Sequence, residues 1–101
     1  MKLTPGTRLK SIVCDTEAVV VRVPAEGVIS CGGAPMIPIG DVKPDDGVID
    51  PAATGGSLIG KRYQDSESGL EMLCTKAGQG TLAIDGRALT LRDAKQLPSS
   101  D

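Results

Sequence analysis

The sequence predicts an all-β fold, and three observations support this prediction. Thirteen glycines and seven prolines divide the 101 residues into short segments, which disfavours long helices. These segments are rich in β-branched side chains or alternate apolar and polar residues, as strands do. Two stretches roughly 50 residues apart also share a pattern of turn residues. We therefore expect a small pseudo-two-fold β domain from an internal duplication, built as two short-stranded sheets or a partly open barrel.

The first half contains four predicted extended segments: residues 7–14, 18–23, 28–31 and 36–39. The second of them is a run of β-branched residues that Pro24 ends. The third precedes a Gly32-Gly33 turn. Pro38 lies inside the fourth, which we therefore expect to be an edge strand or an extended segment.

The second half is preceded by residues 41–53, which are rich in Pro, Asp and Gly and predict an irregular linker with a turn at 44–47. Strands are predicted at residues 57–63 and 70–75. Residues 81–91 predict a hairpin, because Asp85-Gly86 accepts the two positive φ angles of a type I′ turn. The polar residues 94–101 are expected to form a mobile tail.

The proposed duplication places repeat one at about residues 4–40 and repeat two at about residues 54–93. A shift of 50 residues matches Asp15 with Asp65 and Leu9 with Ile59. The same shift also matches Thr4 with Thr54, Gly6 with Gly56 and Glu17 with Glu67. Further along the chain a shift of 53 residues matches Gly33 with Gly86. Two such units, each unable to bury its apolar face alone, can cover each other in one domain.

Composition argues against several classes of protein. The formal net charge is −2, and one tyrosine, Tyr63, is the only aromatic residue. A nucleic-acid surface usually needs a basic stripe and aromatic side chains for stacking, so we expect no such partner. The sequence has no long apolar run and no signal-peptide pattern, and we therefore expect no membrane span. Three cysteines without a secretory signal favour a reducing, cytoplasmic location.

The segment from Cys14 to Met36 resembles the desulforedoxin-like family of small iron domains. The resemblance lies in Cys14-Asp15-Thr16-Glu17, in the hairpin text VVVRVPAEGVI and in Ser30-Cys31-Gly32-Gly33-Ala34-Pro35-Met36. It implies that four thiolates once held iron. At the four implied ligand positions this chain has Cys14, Glu17, Ser30 and Cys31, and its second half has Gln64, Glu67, Ala83 and Ile84. Because soft sulfur ligands suit such a site, the resemblance implies a centre that has largely degenerated.

The cysteines leave several interpretations open. Cys14 and Cys31 could retain a zinc or iron site with Glu17 as a carboxylate ligand. They could instead form a disulfide, or serve as small buried apolar residues. We favour the last of these, so the expected cofactor is none, with zinc or iron as the alternative. Cys74 is a candidate nucleophile if the Lys76 ammonium lowers its pKa.

These observations predict a non-catalytic structural or protein-interaction module. Its short strands must leave open sheet edges, which favours a protein partner or self-association into a homo-oligomer. A metal-binding or electron-transfer protein with an incomplete thiolate site is the alternative. A thiol-based redox sensor that uses Cys14 and Cys31 is a third possibility.

Overall fold

The computed structural model describes residues 3–24, 27–44 and 47–91, and in these ranges the chain is all-β, as predicted. Ten short strands are present in these ranges: β1 (Arg8–Lys10), β2 (Glu17–Arg22), β3 (Ile29–Cys31), β4 (Ala34–Pro35), β5 (Ile37–Pro38), β6 (Arg62–Gln64), β7 (Glu71–Lys76), β8 (Leu82–Ile84), β9 (Arg87–Ala88) and β10 (Thr90–Leu91). A 3₁₀ turn, Pro51–Ala53, lies between β5 and β6, and the Asp50 side chain caps it by accepting the Ala52 N–H. In the described part of the chain no helix has the length and apolar character needed to cross a membrane.

The strands form two antiparallel sheets that share one symmetric plan. The six-stranded sheet has the order β10-β6-β7-β2-β1-β5, and the four-stranded sheet has the order β4-β3-β8-β9. In each sheet the central pair joins the two halves of the chain, β2 with β7 in one and β3 with β8 in the other. The core lies between the sheets, because its buried residues come from strands of both.

The five strands of each half match in order, in length and, for the first four, closely in burial. The strands β1 and β2 precede β6 and β7 by 54 residues, and β3, β4 and β5 precede β8, β9 and β10 by 53. The predicted shift of 50 residues is therefore wrong for the first two strands. It places Leu9 on Ile59, which lies in a turn, whereas the structural counterpart of buried Leu9 is buried Tyr63. The turns at residues 11–16 and 65–70 both contain Asp and Ser or Thr, but at different positions within the turn. Their similar residues therefore match at a shift of 50, whereas the strands on either side match at a shift of 54.

Two predicted strands are shorter than expected because turns replace part of them. Residues 7–14 were expected to be extended, yet β1 ends at Lys10. The Ser11 hydroxyl accepts hydrogen bonds from the N–H groups of Val13 and Cys14, which turns the chain. Residues 57–63 become extended only at Arg62, and Ser57 forms an isolated bridge with Gly78.

The predicted hairpin turn is confirmed, with Asp85 at φ 50° and Gly86 at φ 82°. The first half repeats it at Gly32 and Gly33, with φ of 67° and 89°. In both halves the strand after the turn divides in two. Its first part stays in the four-stranded sheet as β4 or β9, and its second part crosses to the six-stranded sheet as β5 or β10. All four are edge strands, so the edge position predicted for residues 36–39 is confirmed for β5.

The core consists of aliphatic residues, methionines and cysteines, with Tyr63 as its single aromatic side chain. The tyrosine hydroxyl accepts the Leu58 N–H at 2.9 Å, which satisfies its buried polar end. Two sequence predictions, the centre of the 44–47 turn and the tail at 94–101, lie outside the described residues.

Candidate functional site

Cys14 and Cys31 lie side by side, with their Sγ atoms 3.8 Å apart. Cys14 belongs to the turn between β1 and β2, at one end of the six-stranded sheet, and is partly exposed. Cys31 ends β3 in the four-stranded sheet and is fully buried. The pair therefore bridges the gap between the two sheets. All three cysteines are free thiols.

Hydroxyl groups surround the Cys14 sulfur. The Cys14 thiol donates to Thr16 Oγ1 at 3.3 Å, and Thr16 Oγ1 lies 3.2 Å from the Ser57 hydroxyl. Ser57 in turn donates to the carbonyl oxygen of Gly80 at 2.6 Å. Because the Ser57 proton is committed to that carbonyl, the Thr16 proton can point either to Ser57 or to a Cys14 thiolate. Thr16 can thus serve both protonation states of the thiol.

Gly80 closes the site from the second half of the chain. A Cβ at this position would lie 2.7 Å from Cys31 Sγ and 2.9 Å from Cys14 Sγ. Both distances are too short for any side chain to be accommodated without movement of the sulfur atoms. The absence of a side chain at Gly80 therefore makes the space in which the two thiols meet.

The two thiols of the pair differ strongly in acidity. Burial raises the pKa of Cys14, but hydrogen bonds from the Ser11 and Thr16 hydroxyls and from the backbone at Thr16 and Gly80 outweigh it and lower the pKa to about 7. At Cys31 burial dominates and raises the pKa to about 12, and the charge of Cys14 acts in the same direction. Near pH 7 about half of Cys14 is therefore thiolate, whereas Cys31 remains protonated.

In comparisons with known proteins, no family model matches this chain, and neither a curated protein nor a solved structure matches it significantly. The resemblance to desulforedoxin-like domains therefore remains a prediction from the residues between Cys14 and Met36.

The predicted metal ligands come together only in part. Glu17, at the start of β2, is paired in register with Lys10 on one side and Lys76 on the other. Directly opposed residues of neighbouring strands share a face, so the carboxylate lies between two ammonium-bearing side chains. Ser30 precedes Cys31 on β3 and therefore points to the opposite face of the sheet. Across residues 3–24, 27–44 and 47–91, no three His, Cys, Asp or Glu side chains form a group that could hold a metal ion.

Cys74 does not have the environment that the nucleophile hypothesis requires. It is buried in β7, and burial raises its pKa, whereas the hypothesis needs a lowered value. Its thiol donates to the backbone oxygen of Lys76 at 3.2 Å, and the Lys76 side chain is exposed. The predicted activation by the Lys76 ammonium is therefore wrong, because the two side chains point to opposite environments.

In the second half, the corresponding turn is residues 65–70, between β6 and β7, and an ion pair joins it to the other sheet. The strand offsets make Ser68 the counterpart of Cys14, where the sequence had suggested Gln64, while Ile84 remains the counterpart of Cys31. In that turn Asp65 accepts from Arg87 of β9 at 2.8 Å. This hydrogen-bonded partner holds the pKa of Asp65 well below its usual range. Each half therefore has a different sheet-to-sheet contact, a thiol pair in one and an ion pair in the other.

Sequence reasoning identified both thiols of the pair but missed the groups that set their chemistry. Ser11 and Ser57 fall within predicted extended segments, and no chemical role was predicted for Thr16 or Gly80. The spacing of Ser11 and Cys14 is a detectable signal, since a serine often accepts the N–H of a residue two or three positions later. The contributions of Ser57 and Gly80 come from a distant part of the chain and have no local signal.

Proposed function

We propose that this chain is a small non-catalytic thiol redox module whose Cys14–Cys31 pair alternates between a dithiol and a disulfide. The observation that carries the proposal is the 3.8 Å separation of the two sulfur atoms across the gap between the sheets. The predicted role as a non-catalytic module is retained in this proposal. Binding of a partner protein and self-association remain predictions, as does cytoplasmic location. In a reducing compartment such a pair rests as the dithiol.

The chemical step requires an external disulfide as oxidant. The Cys14 thiolate attacks one sulfur of a small disulfide R–S–S–R, forms a mixed disulfide and releases R–S⁻. Cys31 then loses its proton and attacks the Cys14 sulfur, which forms the Cys14–Cys31 bond and releases the second R–S⁻. Starting from the Cys14 thiolate, the protein loses two electrons and the Cys31 proton, and the disulfide is reduced to one thiolate and, with that proton, one thiol.

The acidities of the two residues suit this order of attack. Cys14 is partly exposed and has the lowered pKa, so it is both accessible and nucleophilic. Cys31 is fully buried and cannot meet the oxidant first. It lies beside the sulfur at which the mixed disulfide forms, as a resolving thiol must.

Bond formation needs only a modest movement. A disulfide bond is about 2.05 Å long, so the sulfur atoms must approach each other by about 1.8 Å. Cys31 is held in the ladder of β3, between β4 and β8. Cys14 lies in a turn outside the strands, and this turn is the element that can move.

The experiment compares oxidised and reduced protein. The native chain is treated with bis(2-hydroxyethyl) disulfide, the free thiols are blocked, and peptides are mapped by mass spectrometry after cleavage at Arg22 and other basic residues. We expect three free thiols before oxidation and one afterwards, with Cys14 and Cys31 in one linked species and Cys74 free. Dithiothreitol should restore all three.

The matched control is Cys74→Ser, which should form the same linked species. Cys31→Ser should stop at a mixed disulfide on Cys14, since the resolving thiol is gone. A linkage that includes Cys74, disulfide-linked dimers of the chain, or Cys14 and Cys31 thiols that stay unreacted in the native protein would each contradict the proposal.

A further inference from the structure

The opening that leads to Cys14 carries several charged side chains. It has a volume of roughly 230 Å³, and its charged residues are Lys10, Asp15, Glu17, Lys43 and Lys76. Three ammonium groups and two carboxylates give the opening a formal charge of one positive unit, although the whole chain carries −2. A reagent that approaches Cys14 through this opening thus meets a local charge opposite to that of the protein as a whole.

Lys43 is hydrogen-bonded directly to the reactive residue, Cys14. Its Nζ atom donates to the carbonyl oxygen of Cys14 at 2.6 Å, and the residue is partly buried. An ammonium group has three donors, and this hydrogen bond uses one of them. Lys43 also lines a second opening at Cys14, together with Val13 and Pro44. The ammonium group is therefore fixed at the backbone of the reactive residue and lies in the lining of both openings.

The other two lysines are partly offset by Glu17. This carboxylate is paired in register with both Lys10 and Lys76, so one negative charge lies between two positive charges. Asp15 is exposed and lines both openings, as Lys43 does. Lys43 differs from Lys10 and Lys76 in that it is hydrogen-bonded to Cys14 itself.

We infer that the oxidant of the Cys14–Cys31 pair is a small disulfide that carries carboxylates, with Lys43 as the residue that recognises a carboxylate beside the reacting sulfur. This inference rests on the proposed function and names its substrate class. The carboxylate of such a disulfide accepts from the free donors of the Lys43 ammonium. That contact holds one sulfur of the reagent near Cys14 Sγ, in position for the exchange described above.

The experiment uses three dialkyl disulfides of similar size and different charge. These probes are 3,3′-dithiodipropionate (anionic), bis(2-hydroxyethyl) disulfide (neutral) and cystamine (cationic). The rate constant for loss of the first thiol is measured with the native chain and divided by that of 2-mercaptoethanol with the same reagent. This division removes the intrinsic reactivity of each disulfide.

We expect the normalised rate to be about tenfold higher for the anionic than for the cationic reagent at low salt, because a charged opening enriches ions of opposite sign. The ratio should fall towards one in about 0.5 M salt, where screening extends only a few ångströms. K43Q should lower the rate with the anionic reagent about threefold, as expected for loss of one nearby charge in a well-solvated site. The fall with the anionic reagent should exceed any change with the neutral reagent, whose rate reports the effect of K43Q on the Cys14 thiol alone.

K61Q is the matched control, because it removes the same charge from an exposed residue that lines neither opening. It should leave all three rates as they are in the native chain. Equal normalised rates for the three reagents, or equal effects of K43Q and K61Q, would overturn this inference and leave the redox proposal standing. Failure of all three reagents to form the Cys14–Cys31 bond would overturn both.

Discussion

At the scale of single residues, the same thiol side chain occurs in three different environments, at Cys14, Cys31 and Cys74. The sequence allowed all three to be named as candidates, and it suggested that Cys14 and Cys31 would be close together. It did not allow their acidities to be ranked, because burial and hydroxyl contacts set the pKa of each thiol. The Thr16 hydroxyl is in turn hydrogen-bonded to Ser57, which lies 41 residues away in the sequence. Proximity was thus predictable from a motif, whereas reactivity required the folded chain.

The acidity of Cys14 predicts a distinct pH profile of alkylation. We expect iodoacetamide to modify Cys14 with a rate that rises through a midpoint near pH 7, since the pKa is lowered to about 7 and the thiolate is the nucleophile. Cys31 and Cys74 should stay unmodified below about pH 9 in the folded protein, because burial raises the pKa of both. Mass spectrometry of the modified peptides measures each site separately.

Thr16→Val tests the physical cause of this acidity. It removes a hydroxyl that stabilises the Cys14 thiolate while keeping the size of a buried side chain, and Ser57 keeps its hydrogen bond to Gly80. The alkylation midpoint should rise by about one pH unit. An unchanged midpoint would show that the Thr16 hydroxyl does not stabilise the thiolate.

At the scale of elements, strands were easier to predict than their ends. The run of β-branched residues gave β2 within one residue of its observed bounds, and Asp85-Gly86 gave the turn type. The ends of β1 and β6 were missed, because Ser11 and the turn before Arg62 take over backbone groups that a longer strand would use. The crossing of β5 and β10 into the six-stranded sheet was also unpredicted, since it depends on pairing with β1 and β6, which are distant in the sequence within the same half.

The hairpin turn between β8 and β9 offers a test of backbone conformation alone. Gly86 has φ 82°, and a Cβ there would meet no atom within 4 Å. Gly86→Ala should therefore destabilise the fold by about 1–2 kcal/mol, the cost of placing an L side chain in the left-handed region. Urea unfolding followed by circular dichroism measures this difference.

Gly40→Ala is the matched control for this turn. A Cβ at Gly40 also meets no atom within 4 Å, and its φ lies outside the left-handed region. We expect its free energy of unfolding to stay within about 0.5 kcal/mol of the native value. Any change should be a slight increase, because alanine restricts the unfolded chain more than glycine does. Equal effects of the two substitutions would contradict the assigned turn.

At the scale of the whole molecule, the predicted symmetry is present in the strands but not in the chemistry of the two halves. Repeated turn residues suggested a two-part architecture, and the matching strand series agrees with that outline. For the first two strands of each half, the predicted offset of 50 residues is four residues shorter than the observed offset of 54. The cause is that turns of similar composition place their Asp and Ser or Thr residues at different positions. The thiol pair itself has no counterpart, since Ile84 replaces Cys31 in the second half.

A disulfide between the sheets should stabilise the whole domain. Cys14 and Cys31 are 17 residues apart, and closing a loop of that size is expected to raise the free energy of unfolding by about 3 kcal/mol. Urea titrations of the native chain with and without dithiothreitol measure the difference. Cys31→Ser should unfold at the same urea concentration under both conditions. A native chain that shows no difference after complete oxidation would contradict this expectation.

The two sheet-to-sheet contacts have a consequence for what the domain can sense. The Asp65–Arg87 pair has no redox chemistry, and the lowered pKa of Asp65 keeps that contact charged until the solution is strongly acidic. Under the proposed function, the Cys14–Cys31 pair would respond to the thiol–disulfide potential of its surroundings. Oxidation would therefore add a covalent link at one of the two contacts and leave the other unchanged, so a fold with matching strands in both halves would be stiffened in its first half alone.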